Sequence, residues 1–299
     1  SGTIVAALGN EATLIVPPRW LHDLSRAERW VWTRAIVLAL RSRRDRSGRG
    51  CRWSAPKGRG EPLPTKSRLR EMGELDAAVV VDLPLRGEWT VERTPAHRIP
   101  SHGTDLFGQR FAFDFVRTDH RHGFHLHPAG SARLLILGGR TRDYYGWGQP
   151  VHAALKGEVV RVVDGAPERA RVHVVRETWA ALRNTFLAAR RRLDPARLAG
   201  NHVIIRTDAM YALSAHLAPG SITVRPGQGV AEGKEIGRVG HTGNSTAPHL
   251  HFQLMDSAAP DESSGIPCAF AEYLVEHHTG WERIERGVPA RFDRIRSVR

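Results

Sequence analysis

Two imidazoles, His249 and His251, flank Leu250 in the run Gly240-His241-Thr242-Gly243-Asn244-Ser245-Thr246-Ala247-Pro248-His249-Leu250-His251-Phe252. On a β-strand alternate side chains share a face, so both histidines point one way while Leu250 and Phe252 point into a core. That is ligand geometry on a rigid support, and a metal ion is the chemistry it suits. Gly240, Gly243 and Asn244 supply turn chemistry upstream, and Pro248 biases Ala247 toward an extended backbone. The pair is therefore expected where a loop enters a strand, at the rim of a site. The competing reading is two imidazoles on a solvated strand face.

A hydrolytic zinc ion takes three protein ligands and keeps a fourth position for water. The run from Pro100 to Phe115 offers His102, Asp105 and Asp114 as further donors. Phe111, Phe113 and Phe115 surround Asp114, and an ionised carboxylate on so apolar a strand must find water, a cation or donors on its own face. Asp105, in a glycine-rich turn, reads as a solvated turn residue or cap. Asp114 is preferred and Asp105 stays open.

His125-Leu126-His127 repeats the spacing, with His120 and His122 nearby. Gly123, Pro128, Gly130 and several arginines mark that stretch as an exposed loop, or as an insertion that shapes access to a groove. His241 reads as a rim residue, and His152 and His173 as structural.

These residues need strands to hold them. After residue 76 short β-rich runs recur, at Ala77 to Val81, Trp89 to Val91, Phe111 to Val116, Val151 to Val163, Val172 to Val175 and His202 to Arg206, punctuated by glycine and proline turns. The pattern predicts a mainly β domain of antiparallel sheets over residues 76–299, with a histidine-rich insertion at 117–147. One helix is expected from Thr178 to Arg192 and another from Pro267 to His278. Residues 1–75 read as a separate helical and linker region, with a helix from Leu24 to Arg44 and a Gly-, Pro-, Ser- and Arg-rich connection from Asp45 to Lys66.

The 299 residues carry a net charge of +13 and a pI near 10.9. Such a charge favours anionic neighbours, among them cell-wall polymers, anionic lipid and nucleic acid. The arginine clusters at Arg41 to Arg49 and Arg190-Arg191-Arg192 lack interleaved stacking aromatics, which argues against nucleic acid. Cys51 and Cys268 are the two cysteines, so no Cys-x-x-Cys motif exists and at most one long-range disulfide can form. No apolar run is long enough for a transmembrane helix, and no signal peptide is visible in this chain.

Taken together, residues 82–256 resemble the lysostaphin/LytM-type zinc endopeptidases, a peptidoglycan-cleaving family with a duplicated-hybrid-motif β fold. The resemblance lies in His102 to Asp114, in Gly148-Gln149-Pro150-Val151-His152-Ala153-Ala154 with Gly157-Glu158-Val159-Val160, in Tyr211-Ala212-Leu213-Ser214-Ala215-His216-Leu217, and in Gly240 to Phe252. It implies one Zn2+ per chain held by His102, Asp114 and His251. His249 and His216 would then act beside the metal, orienting and deprotonating its water and stabilising the oxyanion. The implied reaction is hydrolysis of peptide bonds in peptidoglycan stem or cross-bridge peptides. The implied location is outside the cell or in its envelope. The alternative is a catalytically inactive member of the fold that binds cell-wall or protein partners and regulates them. Two features depart from the commonest pattern. His102 and Asp114 are twelve residues apart rather than four, matching a variant with a Phe111-Ala112-Phe113-Asp114-Phe115 strand, and Arg117 to Trp147 are inserted before Gly148.

Overall fold

A computed structural model describes residues 4–8, 11–15, 73 and 75, and residues 77–298 apart from 120–124, 130–133, 135–136, 191–193 and 209. The expected helix at 24–44, the connection at 45–66, Cys51, His120, His122, Arg191 and Arg192 lie outside the described residues. The chain divides into two compact units, Ser1–Trp53 and Ser54–Arg299. In the first, β1 (Ile4–Leu8) and β2 (Glu11–Ile15) pair antiparallel.

The second unit opens with β3 (Val79–Val81), β4 (Glu88–Arg93), β5 (Phe113–Val116), β6 (Gly139–Arg140), β7 (Pro150–His152), β8 (Gly157–Val163) and β9 (Arg171–Val172). Helices α1 (Val174–Ala189) and α2 (Pro195–Ala199) interrupt the β pattern. Strands then resume with β10 (His202–Thr207), β11 (Met210–Ala215), β12 (Gly229–Val230), β13 (Glu235–Arg238), β14 (Leu250–Met255), β15 (Gly265–Ile266), β16 (Cys268–His277), β17 (Gly280–Gly287) and β18 (Arg294–Arg296).

Among the described residues, twelve strands make one sheet, in the order β12-β8-β10-β11-β14-β5-β4-β18-β16-β17 with β15 on β14 and β3 on β16. All of its pairings are antiparallel except β3 with β16. The mainly β, antiparallel architecture read from the sequence is the one found.

Strand periodicity divides the side chains of β5 and β14 between two faces. Phe113 and Phe115 of β5, and Leu250, Phe252 and Leu254 of β14, enter the main core, where Phe270 of β16 packs edge-on against Phe113 and Phe115. Each such buried aromatic contributes roughly 1.5–3 kcal/mol. The opposite face of β10, β11 and β14 carries a second cluster of Ile204, Leu213, Ala215 and Met255. The centre of the sheet is thus covered on both sides and holds β5 and β14 rigidly.

Two sequence expectations need correction. Pro267 to His278 was expected as a helix, but Cys268–His277 is a ten-residue strand. Its Cys268 and Phe270, then Tyr273 and Val275, enter the core at strand spacing, and it pairs with β3, β17 and β18. Those pairings override the helix preference of its Ala, Glu and Leu residues. The 117–147 insertion is not simply a solvated loop either. Leu134, Tyr144 and Val172 form a satellite core with Leu126, Trp147 and Ala247 beside it. His127 is buried there with its ring edge-on to Tyr144.

Candidate metal centre

Register sets the centre. Asp114 of β5 lies directly opposite His251 of β14, and His251 lies opposite Ala215 of β11. Because Phe113, Phe115, Leu250 and Phe252 fill the core, Asp114, His249 and His251 must emerge on the other face. His216 follows at the end of β11 with a left-handed φ of 65°. Its backbone N–H donates to Ala199 O at 3.0 Å, and its Nδ1 lies 3.0 Å from Thr242 O. These contacts hold a conformation that a non-glycine residue adopts at a cost.

His102 reaches Asp114 across twelve residues because the chain closes on itself. Ser101 N–H donates to Arg110 O at 2.9 Å, so residues 102–109 are an excursion and only the short run from Arg110 leads into β5. The turn is made by a 3-10 segment, Leu106–Phe111, in which Phe107 and Gly108 take φ of 61° and 68°. Gly108 is required as glycine: a Cβ there would sit 2.8 Å from Ser263 Oγ and 2.9 Å from Gln253 Nε2.

His102, Asp114 and His251 offer donor atoms that all lie within 4.8 Å of one another, the one such group of three found among the described residues. Asp105, the open alternative, points away. It is exposed and pairs with Arg110 at 2.7 Å. His102 Nε2 is 2.9 Å from Asp114 Oδ2, and His251 Nδ1 is 2.9 Å from Asp114 Oδ1. Arg93 Nε stands 3.3 Å from Oδ2 on the solvent side.

Outer hydrogen bonds orient both rings. Gln253 Nε2 donates to Phe107 O at 2.8 Å, so its Oε1 is the atom 2.8 Å from His251 Nε2 and accepts that N–H. His251 Nδ1 then faces the Asp114 carboxylate. Ser101 Oγ–H donates to Gln109 O at 3.2 Å and accepts from His102 Nδ1–H at 3.0 Å. His102 Nε2 then faces the same carboxylate. Two imidazole nitrogens and a carboxylate therefore converge on one point, an arrangement that a shared cation would satisfy. Two nitrogens and one carboxylate, each imidazole oriented by an outer partner, make a donor set that fits zinc.

The protonation of these groups agrees with that reading. Burial holds the His102 imidazolium down to about 4, against the pull of Asp114. Burial resists ionisation of Asp114, but the charges of His102 and His249 and their hydrogen bonds hold its carboxyl well below the usual range.

His249 and His216 stand beside the trio, their ring centroids 4.7 Å apart. His249 Nδ1–H donates to Ala247 O at 2.7 Å, and its Nε2 lies 3.5 Å from Asp114 Oδ1. Burial disfavours its cation, yet Asp114 raises its pKa above the ordinary histidine value. His216 Nδ1–H donates to Thr242 O. Burial holds His216 well below the ordinary value, so it is neutral with Nε2 bare.

All five residues singled out in the sequence are brought together. His241 is fully buried instead of lying at the rim. Gln253 and Ser101 went unnoticed. Gln253 had a signal, since it shares the strand face of His251 two positions on, whereas nothing marked Ser101 before the loop geometry was known.

Residues 144–262 match the family model described as Peptidase family M23. Two peptidoglycan DD-endopeptidases of Vibrio cholerae are similar over short stretches: ShyA is 40% identical over 73 residues, 24% of this chain and 17% of that protein, and ShyB is 39% identical over 76 residues, 25% and 18%. The matched part of this chain thus spans less than a fifth of either relative. Among solved structures, the catalytic domain of the prophage-encoded M23 protein EnpA of Enterococcus faecalis shares 18% identity, covering 59% of this chain and 88% of that one, with a TM-score of 0.31. The lysostaphin catalytic domain of Staphylococcus simulans shares 18%, covering 59% and 84%, with a TM-score of 0.30. The stretch that matches the M23 family model, residues 144–262, carries His216, His249 and His251.

Proposed function

We propose that this chain is a zinc-dependent endopeptidase that hydrolyses peptide bonds of peptidoglycan stem or cross-bridge peptides. The observation that carries the proposal is the convergence of His102 Nε2 and His251 Nδ1 on the Asp114 carboxylate, each 2.9 Å from one of its oxygens. His102, Asp114 and His251 would hold the metal. When bound it supplies a Lewis acid that polarises the scissile carbonyl and lowers the pKa of water toward ~7.

The chain's own groups supply the rest. His249 accepts the proton of the attacking water at Nε2, its ring held by the Ala247 carbonyl, and returns that proton to the leaving amine, a role worth on the order of 10²- to 10⁴-fold. His216, neutral in the resting state, presents an acceptor at Nε2 and orients the water. Only after taking up a proton does it become a donor to the tetrahedral oxyanion. The peptidoglycan substrate class is supported by the family match and by the two DD-endopeptidase relatives.

The test is digestion of purified muropeptides by the zinc-loaded chain and by His249→Ala. New amino termini are expected from the first, and about 10²-fold fewer or less from the second at equal zinc content. Stoichiometric zinc with no cleavage of any peptide would favour a binding protein of the same fold.

A further inference from the structure

His241 lies outside the five site residues, yet it is completely buried within a continuous hydrogen-bonded chain that ends on His249. The chain starts at Arg169, whose guanidinium is ion-paired with the buried Glu177 of α1, Nε to Oε2 at 2.8 Å. The Arg169 guanidinium then donates to Gly243 O at 3.1 Å, to Ser245 O at 3.0 Å and to His241 Nε2 at 3.2 Å. A guanidinium only donates, so His241 Nε2 is the acceptor and its ring proton must reside on Nδ1. That Nδ1–H meets Ser245 Oγ at 2.9 Å. Ser245 gives its own hydrogen to Ala247 O at 2.7 Å and keeps a lone pair toward His249 Nδ1 at 3.1 Å.

Each link leaves the next one choice. With Ser245 Oγ and Ala247 O both accepting, His249 Nδ1 is the donor and Nε2 the nitrogen that faces Asp114. The backbone N–H of His241 is separately fixed, at 2.7 Å from Glu168 Oε1, which also accepts from Trp147 Nε1 at 3.0 Å. The ring of His241 therefore has little freedom to turn away.

We propose that His241, oriented by Arg169, is a positioning residue that holds Ser245 as an acceptor and thereby, together with the Ala247 carbonyl, holds the Nδ1–H tautomer and orientation of His249. The assignment rests on the reading of this centre as a peptidase only for its catalytic consequence. The tautomer of His249 is a property of the folded chain and can be read without any substrate.

The experiment is ¹⁵N NMR of the histidine rings in the full chain, zinc-free and zinc-loaded, with the His249 signals assigned by their loss in His249→Gln. The wild type is expected to show a single Nδ1–H tautomer with a slowly exchanging ring proton. Ser245→Ala removes only the link and is expected to speed exchange of that proton and admit the other tautomer. His241→Leu is expected to do the same, whereas His241→Asn, which keeps an N–H at the position of Nδ1, restores much of the wild-type signal. If the centre hydrolyses peptides, kcat in Ser245→Ala and His241→Leu falls at least about tenfold with KM and zinc content unchanged. Unchanged His249 ring signals and exchange in Ser245→Ala and His241→Leu would overturn the proposal, whatever the melting temperature does, and would leave His241 a filler of the core. Should His241→Leu fail to fold, Ser245→Ala decides alone. Altered His249 signals with no cleavage by any form would uphold the positioning and sink the peptidase reading instead.

Discussion

Asp114 and His251 occupy directly opposed positions on two antiparallel strands, and their functional atoms, Oδ1 and Nδ1, meet at 2.9 Å on the face away from the phenylalanine core. Two further imidazole nitrogens crowd the same carboxylate, His102 Nε2 at 2.9 Å and His249 Nε2 at 3.5 Å. The same sheet register that buries Phe113, Phe115 and Phe252 therefore creates an electrostatic demand on its other side.

Replacing the carboxylate should abolish metal binding at this centre. Asp114→Asn is expected to purify without zinc, while Asp105→Asn, whose side chain is exposed and paired with Arg110, retains one zinc per chain. Plasma emission spectrometry of the dialysed proteins measures both. Zinc kept by the first variant and lost by the second would move the ligand to Asp105.

The two histidines of the His-Leu-His run should fail in different ways. His251→Ala is expected to lose zinc, because it removes a converging nitrogen. His249→Ala is expected to keep zinc and lose about 10²- to 10⁴-fold in kcat. Equal zinc loss in both would assign His249 to the metal.

Gln253 sets the tautomer of His251 and has no other route to the centre. Gln253→Leu should therefore weaken zinc affinity by about 10- to 100-fold, as removal of outer-shell partners does. Competition with a fluorescent chelator reads this directly, and unchanged affinity would show that the Phe107–Gln253–His251 chain is incidental.

Burial, reinforced by the Arg169 charge, holds the His241 pKa at about 3, below the value near 6.5 of an unfolded histidine. With the folded pKa depressed, the neutral ring contributes stability that is fully present above about pH 6.5 and is lost as the pH falls toward 3. Wild type should therefore lose stability relative to His241→Asn between pH 7 and pH 4. Urea unfolding at several pH values measures the difference, and parallel curves would contradict it.

Much of this was legible in the sequence because strand alternation is a local property. Phe111 to Phe115 and His249 to Phe252 each declare one apolar face, so Asp114, His249 and His251 could be placed on the other before any contact was known. His241 was misread because its turn-rich neighbourhood resembles a rim, and its burial comes from Arg169, 72 positions away. Cys268 to His277 reads as a helix because helix-forming residues sit in a strand that is fixed by its hairpin with β17 and by pairing with β18 and the distant β3. The spacing of His102 and Asp114 was accepted without explanation, since closure of the loop at Ser101 and Arg110 leaves no local trace.

The most direct measurement is anomalous diffraction at the zinc edge from crystals of the zinc-loaded chain. One peak within coordination distance of His102 Nε2, the Asp114 carboxylate and His251 Nδ1 is expected. A zinc peak elsewhere, or none at this centre in a protein shown to cleave muropeptides, would contradict the assignment.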